Sequence, residues 1–249
     1  MTVKLTDDQW QKILPILKTC PQIRLGAGRD VRRFLEAVLW VTRSGAQWRL
    51  LPRRYGNWNT VYKRFARWSE LKVFEKLFEH FSQDRDMEYL LLDRDHRARS
   101  RLCRWRTKKH GAQSLGRSRG GFSTKIHLAT DALGNALRFI LTGGERNDIT
   151  QAEQLIENFA ADYVIADKGY DAQAFVLKLK ERNSEAVIPS RINHKVQREI
   201  DEHLYQARHL IENQIGKLKH FRRVFSRFDK LAKNYLSFIY FASTVVWLR

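Results

Sequence analysis

The sequence predicts an α/β protein in which a mixed β-sheet flanked by helices follows a small all-α, helix-turn-helix-like domain. Up to about residue 80 the apolar residues recur at helical spacing, whereas beyond about residue 85 short apolar or alternating runs are interleaved with helical segments. The chain has 249 residues, of which 43% are hydrophobic, so it is long enough to bury a core. We therefore predict two domains, residues 1–80 and 85–249.

Short helices are expected in the first domain. Thr6 or Asp7 caps a helix that runs through Leu17, and further helices are predicted at about residues 30–44 and 59–69. The segment 1–80 nets +9, from 16 basic and 7 acidic residues, and carries an arginine-rich turn before the third helix. Such short basic helices resemble a DNA-reading helix-turn-helix, with a helical dimerisation domain as the alternative.

The second domain begins with three predicted strands. MEYLLLD is an apolar run that ends at Asp93, and GGFSTKIHLAT and ALRFILTGG form a hairpin across the turn DALGN. The segment DITQAEQLIENFA then predicts a helix capped by Asp148 or Thr150. Strands followed by alternating helices and strands indicate a mixed sheet.

A buried strand, ADYVIADKGYD, is predicted to end at Asp167, with a helix at about residues 171–182 and the short strand AVIPS after it. A later helix carries Glu212. The C-terminal YLSFIYFASTVVWLR is apolar but shorter than a membrane span, so it is expected to be a buried core helix.

The net charge points to a polyanionic partner. Forty-six Lys and Arg residues against 27 Asp and Glu leave +19, which favours double-stranded DNA, with an anionic membrane surface as the weaker alternative. Two cysteines make no disulfide framework or zinc set, and the N-terminus has no apolar signal segment. The expected location is therefore the cytoplasm, without a membrane partner.

Three carboxylates are candidates for a metal site. Asp93 and Asp167 end predicted strands, where open α/β sheets bind ligands, and Glu212 lies on a later helix. Together they could hold two Mg²⁺ ions, which support displacement at a phosphodiester. Any one such aspartate, taken alone, is more often a helix cap or a turn former.

A spaced set near the C-terminus accompanies Glu212. Tyr205, Arg208, Glu212 and Lys219 share one stripe of a continuous helix, with offsets of 0, 3, 7 and 14. This pattern is typical either of a site that holds metal and phosphate or of a solvated helix with ion pairs. Lys168 and Arg208 are expected to hold a scissile phosphate, and Arg222, Arg223 and Arg227 to follow the DNA backbone.

The chain resembles the DDE transposases of bacterial insertion sequences, in particular the insertion-sequence-five group. The spacing from Tyr205 to Lys219 matches that group's C-terminal signature. LGRSRGGFSTKIHLATDALGNALRFILTGGERNDITQA, ADYVIADKGYDA and HFRRVFSRFDKLAKNYLSFIYFASTVVWLR are similar to its catalytic core. GAQWRLLPRRYGNWNTVYKRFARW is similar to its helical DNA-binding domain.

This resemblance implies an RNase H-like fold with Asp93, Asp167 and Glu212 as the acidic triad. It implies Mg²⁺ as cofactor, for which Mn²⁺ can substitute, and a homo-oligomer assembled on DNA. It further implies recognition of terminal inverted repeats, cleavage there, and transfer of the freed ends into target DNA.

One stretch departs from the family pattern. After the first Asp the group has roughly Asp-Ser-Thr and then Arg-Ala-His, whereas this chain has DRDHRARSRLCRWRTKK, with six arginines between 94 and 106. One choice of codons for this stretch, moved by one base, encodes a family-like Thr-Thr-Val-Arg-Ala-His. The hypothesis is a local frameshift, and the alternative is a basic DNA-contacting loop. Two other functions therefore stay open: an inactive transposase derivative that only binds DNA, and a different RNase H-like nuclease.

Overall fold

The computed structural model describes residues 4–98, 113–118, 121–192, 194 and 197–249. Most of the arginine-rich stretch, from residue 99 onward, lies outside the described residues. The described residues form two compact units. A helical unit contains residues 4–83, 113 and 217–249, and a sheet unit contains the remainder. This grouping differs from the predicted segments 1–80 and 85–249, because the C-terminal residues pack with the N-terminal helices.

The first helix of the helical unit begins at a capping motif that is visible in the local sequence. The Thr6 hydroxyl oxygen accepts a hydrogen bond from the Gln9 backbone amide, and the Gln9 side-chain oxygen accepts one from the Thr6 backbone amide, which forms a capping box. The predicted first, second and third helices are all present. The helices of this unit are α1 (Asp7–Lys18), α2 (Gly28–Ser44), α3 (Trp58–Glu70), α4 (Val73–Phe81), α9 (Arg222–Phe225) and α10 (Ala232–Trp247).

Aromatic side chains form the core of this unit. Phe65 of α3 stacks on Phe238 of α10 with ring centroids 4.4 Å apart, and Trp48 lies 5.3 Å from Phe65. Helix α10 is buried along nearly its whole length, so the prediction of a C-terminal core helix is confirmed. Among the described residues, no helix combines the length and apolar character that crossing a bilayer would take.

The sheet unit contains six strands and four helices among the residues described. Its strands are β1 (Tyr89–Ala98), β2 (Gly116–Ser118), β3 (Gly121–Thr130), β4 (Ala136–Gly143), β5 (Tyr163–Ala166) and β6 (Glu185–Val187). Its helices are α5 (Ile149–Ile156), α6 (Gln173–Glu181), α7 (Glu202–Gln206) and α8 (His209–Lys219), the last of which runs on into the helical unit's residues.

Both kinds of strand pairing occur in one sheet. The order is β2-β3-β1-β5-β6, with β4 also paired to β3. Strand β1 is antiparallel to β3 and parallel to β5, and β5 is parallel to β6. An antiparallel β4-β3-β1 half joined to a parallel β1-β5-β6 half is the sheet of an RNase H-like fold. The predicted mixed sheet is therefore confirmed.

Strand β1 is longer than its apolar pattern indicates. It was expected to end at Asp93, but it continues to Ala98 because β3 remains alongside, with Asp93 opposite Leu128 and Ala98 opposite Ser123. On the other side the parallel pairing stops at Leu92, opposite Ala166. Asp93 thus ends the parallel half of the sheet without ending the strand.

The β3–β4 turn approaches the helix that carries Glu212. Gly134 has φ +78°, and a Cβ there would lie 2.9 Å from the Leu210 carbonyl oxygen. A side chain at position 134 would therefore be strained and would push α8 away. Asp131 holds the turn by accepting hydrogen bonds from the amides of Leu133 and Asn135, at 3.1 and 2.7 Å.

Candidate active site

Two aspartates lie side by side at one edge of the sheet. Leu92 of β1 pairs with Ala166, the last residue of the parallel strand β5. Asp93 and Asp167 are the residues that follow this pair. Asp93 accepts a hydrogen bond from the Arg94 amide at 2.7 Å, and Asp167 caps a short 3₁₀ turn by accepting from the Gly169 amide at 2.8 Å. Both carboxylates thus lie side by side where the parallel pairing of β1 and β5 ends, although only Asp167 follows the last residue of its strand.

A third carboxylate is joined to this pair through an arginine. The Arg208 Nη2 atom lies 3.3 Å from Asp93 Oδ2 and 3.6 Å from Glu212 Oε1, and Nη1 lies 3.3 Å from the Tyr205 hydroxyl. Asp93 is nearly buried, whereas the side chain of Glu212 is 60% exposed. The guanidinium therefore connects a carboxylate inside the sheet edge to one at its surface.

The continuous helical stripe predicted for this set is wrong. Helix α7 ends at Gln206 and α8 begins at His209, so Arg208 lies in the turn between them. Tyr205, Arg208 and Glu212 still meet, because Arg208 contacts both neighbours from that turn. Lys219 is the last residue of α8 and is exposed.

Burial and like charge both act on Asp93. Burial raises its pKa most, the Arg94 amide and Arg208 lower it, and the carboxylates of Asp167 and Glu212 raise it again, with a raised pKa as the result. For Arg208, burial lowers the pKa, but Asp93 and Tyr205 more than compensate and the pKa is raised. The arginine stays charged while the aspartate resists ionisation.

The negative charge around Asp93 also affects a buried tyrosine, Tyr170. The Tyr170 hydroxyl donates to the Asp93 carbonyl oxygen at 3.4 Å. Burial raises the pKa of Tyr170 well above its ordinary value, and the carboxylates of Asp148, Asp93 and Asp167 raise it further. Three aspartates from different parts of the sequence therefore converge around one phenol.

Asp148 is the member of this group that sequence reasoning missed. It was predicted to cap α5, but it makes no capping hydrogen bond with its side chain. Instead its carboxylate pairs with Lys125 Nζ at 2.8 Å and with the Arg94 guanidinium. A side chain at Gly169 would begin 2.8 Å from Asp167 Oδ1 and 3.1 Å from Asp148 Oδ2, so both carboxylates face one small space. A lysine in the middle of the predicted strand GGFSTKIHLAT was the available signal.

An open cleft of ≈ 500 Å³ adjoins these carboxylates. Arg94, Asp148, Asp167, Lys168 and Arg191 are among its lining residues. Lys168 is exposed there, and the Arg191 side chain donates to the carbonyl oxygens of Lys168 and Gly169 at 3.2 and 3.3 Å. The cleft therefore presents cations to solvent next to the paired aspartates.

Comparison with known proteins identifies the family. Residues 90–245 match the family described as "Transposase DDE domain", and residues 5–78 match "Putative transposase of IS4/5 family". The chain belongs to the DDE transposases. The resemblance inferred from its motifs is confirmed, and cleavage and transfer of DNA strands with divalent metal ions is the chemistry of this family.

The transposase has relatives in bacteria. It is 36% identical over 132 residues to the "Putative transposase for insertion sequence element IS6501" of Brucella ovis, a match that covers 51% of this chain and 99% of the relative. It is 33% identical over 148 residues to the "Putative transposase for insertion sequence element IS402" of Burkholderia cepacia, over 55% of this chain and 67% of the relative.

Solved structures of transposases are similar at lower identity. The piggyBac transposase in its synaptic complex with hairpin DNA has 12% identity and a TM-score of 0.44, over 81% of this chain and 52% of that chain. The transposase thus spans about half the length of the piggyBac chain. The Mos1 transposase in a pre-cleavage transpososome has 10% identity and a TM-score of 0.30, over 98% of both chains.

Two of the arginines that were predicted to bind phosphate are buried. Arg223 is buried, forms a two-pronged pair with Asp229 at 2.9 and 3.0 Å, and donates to the Ala46 carbonyl oxygen. Arg227 is fully buried and donates to the carbonyl oxygens of Asp229 and Lys230. The prediction that they follow the DNA backbone is therefore wrong, whereas Arg222 is exposed.

The donor set of the transposase has the chemistry that a divalent cation requires. Asp93, Asp167 and Glu212 supply carboxylate oxygens, which Mg²⁺ and Mn²⁺ prefer. Burial raises the pKa of Asp93 most, and the carboxylates of Asp167 and Glu212 raise it further. In the part of the chain that the structure describes, no three His, Cys, Asp or Glu side chains are yet close enough to share a metal. Arginines lie between them instead.

Proposed function

We propose that this transposase binds the terminal inverted repeats of an insertion sequence, cleaves the strands there and joins the freed ends to target DNA. The observation that carries the proposal is the junction of Asp93, Asp167 and Glu212. Two of these carboxylates lie where the parallel pairing of β1 and β5 ends, and Arg208 links the third, Glu212, to Asp93. Phosphodiester displacement needs such a cluster, because both the attacking and the leaving oxygen develop negative charge.

Asp93, Asp167 and Glu212 are the residues that would hold Mg²⁺ or, in its place, Mn²⁺. When bound, the metal polarises the scissile phosphodiester and stabilises the charge that develops on it. The protein's own contribution is to fix the carboxylates before DNA arrives. The Arg94 and Gly169 amides orient Asp93 and Asp167, and the turn between α7 and α8 brings Arg208 to Glu212.

Cations beside this cluster are suited to hold the DNA strand. Lys168 and Arg191 line the cleft and can contact phosphate oxygens. The Arg208 side chain is 19% exposed, so part of its guanidinium can reach a phosphate oxygen. Arg208 would then bind a scissile phosphate in addition to its contact with Asp93.

Recognition of the element ends is assigned to the helical segment 1–80, with its net charge of +9. Two ends must be cut and joined in one reaction, which a homo-oligomer on DNA would allow. Removing residues 1–80 is expected to reduce the preference for element ends more than the general affinity for DNA.

A second function is favoured by one contact. Arg94 pairs with Asp148 and reaches Asp167, which puts a protein cation among the proposed metal ligands. The chain would then occupy element ends without cutting them. This alternative predicts binding to the ends with no cleavage, even at high Mg²⁺ concentration.

Incubation with labelled element ends and Mg²⁺ separates the two functions. Cleavage at the 3′ ends by the unaltered chain, lost in Asp167→Ala, supports the transposition reaction. End-specific binding without cleavage supports the inactive derivative. Sequence-independent binding with no cleavage, in Mg²⁺ or Mn²⁺, would refute both.

Salt dependence tests the DNA footprint independently. Lysine and arginine contacts to phosphates release counterions, so affinity should fall by more than about tenfold between about 50 and 200 mM salt. A smaller change would mean that these cations are not the contact surface.

A further inference from the structure

Arg94 follows the first aspartate of the cluster directly, and its guanidinium turns back toward the carboxylates. Nη1 pairs with Asp148 Oδ2, and Nη2 lies 3.9 Å from Asp167 Oδ2. The Arg94 side chain is 32% exposed and lines the cleft. A single side chain therefore bridges Asp148 of the α5 turn and Asp167 of the β5 end.

Asp148 has a counter-ion without Arg94. Lys125 Nζ lies 2.8 Å from Asp148 Oδ1, and both side chains are almost fully buried. Because one buried lysine already neutralises this carboxylate, the charge of Arg94 is not needed to bury Asp148. The charge of Arg94 acts instead on Asp167 and in the space beside Gly169, which the carboxylates of Asp148 and Asp167 both face.

The charges of the cluster sharpen this point. Four carboxylates, those of Asp93, Asp148, Asp167 and Glu212, are in contact with three cations, Lys125, Arg208 and Arg94. Divalent cations bind where carboxylate charge is left uncompensated. Arg94 therefore removes half of the negative charge that the other two cations would leave for a metal.

We propose that the Arg94 guanidinium acts as an internal cation beside Asp167, which a divalent cation must displace before it can bind. The inference rests on the proposed function only in taking Asp167 as a metal ligand. It assigns Arg94 as a residue that lowers metal affinity, so the active arrangement needs Arg94 to swing into the cleft, where a DNA phosphate can receive it.

The test measures metal binding without DNA or catalysis. Full-length chain is titrated with Mn²⁺, and the free ion is followed by electron paramagnetic resonance at one fixed salt concentration. Arg94→Ala is expected to bind Mn²⁺ at least about tenfold more tightly than the unaltered chain, since a unit positive charge is removed from next to a ligand. Arg94→Gln, neutral and similar in size, should do the same if the alanine variant folds poorly.

Two control variants complete the series. Lys180→Ala removes one positive charge from an exposed position on α6 and should change the affinity less than about twofold, because exposed charges are screened. Arg94→Lys keeps the charge and should stay close to the unaltered chain.

The outcomes separate this inference from the proposed function. If Arg94→Ala and Arg94→Gln bind no more tightly than Lys180→Ala, while Asp167→Asn still abolishes binding, Arg94 is not the competitor and Asp167 remains a ligand. If Asp167→Asn leaves binding unchanged in both backgrounds, the metal site itself is misassigned. Tight binding by the Arg94 variants that is lost on adding Asp167→Asn supports both.

Discussion

Two arginine–aspartate pairs, one in each compact unit, show how the same residue types can stabilise a fold or build a site. In the helical unit Arg223 and Asp229 form a two-pronged pair, both side chains 7% exposed, with the rings of Trp48, Phe228 and Phe238 around the guanidinium. In the sheet unit Arg208 reaches Asp93 through one contact of 3.3 Å and shares its charge with Glu212.

The difference lies in what surrounds each carboxylate. Asp229 faces an arginine whose third nitrogen, Nη1, donates to the Ala46 carbonyl oxygen, so every nitrogen of the guanidinium has an acceptor. We call this pair closed. Burial raises the pKa of Asp93 most, and the carboxylates of Asp167 and Glu212 raise it further, so negative charge exceeds positive charge around this pair. A closed pair stabilises the fold, and a pair with excess negative charge is prepared to bind a cation.

The largest expected effect comes from removing a carboxylate of the cluster around Asp93. Asp167→Ala or Glu212→Ala should lower the rate of end cleavage by several orders of magnitude, because each removes a proposed metal ligand. DNA affinity, measured by fluorescence anisotropy on the same ends, should be unchanged or higher, because a negative charge that faces phosphates has been removed. Retained cleavage in either variant would contradict the assignment of that residue.

The closed pair should show its effect in stability. Arg223→Ala is expected to lower the free energy of unfolding by about 3–5 kcal/mol, because Asp229 is left buried and unpaired. Arg208→Ala should cost less than half as much, since Glu212 is exposed and Asp93 still accepts a hydrogen bond from the Arg94 amide. Urea unfolding of both variants measures the two costs, and equal values would remove the distinction between the pairs.

A pH series on Asp93→Asn sharpens the comparison further. The pKa of Asp93 is raised in the folded chain even with Arg208 present, so its stabilising contribution is complete below the ordinary Asp pKa of about 3.9. That contribution is lost as the pH rises through the raised value. Asp93→Asn should therefore melt at a higher temperature than the unaltered chain near neutral pH.

This higher melting temperature of Asp93→Asn should approach that of the unaltered chain as the pH falls toward the pKa of an ordinary aspartate. Thermal unfolding without metal measures the difference at each pH. A constant difference at all pH values would instead indicate a change in packing.

The smallest effect separates neighbouring arginines. Arg222 is exposed and Arg223 is buried, so Arg222→Ala should change the free energy of unfolding by less than about 0.5 kcal/mol. If Arg222 contacts phosphate, its loss should weaken binding to all DNA sequences similarly and reduce the salt slope by about 1. An unchanged slope would exclude Arg222 from the footprint.

The sequence by itself determined most of the elements and the two aspartates that follow apolar runs. The capping box at Thr6, the helical spacing of α2 and α3, and the apolar runs before Asp93 and Asp167 are local signals, carried by residues within one or two turns of each other. Because parallel strands end at one sheet edge, these runs were enough to predict that the two aspartates meet. Glu212 was found from spacing and family resemblance.

Tertiary structure alone decided which charges meet. Arg94 and Asp148 are 54 residues apart in sequence, and Arg208 and Asp93 are 115 apart. The sequence pattern could not show that Asp148 turns to Lys125 rather than capping α5, or that Arg223 is buried while Arg222 is exposed. The physical reason is that helix and strand periodicity depend on neighbours along the chain, whereas the partner of a charged side chain depends on which distant elements pack beside it.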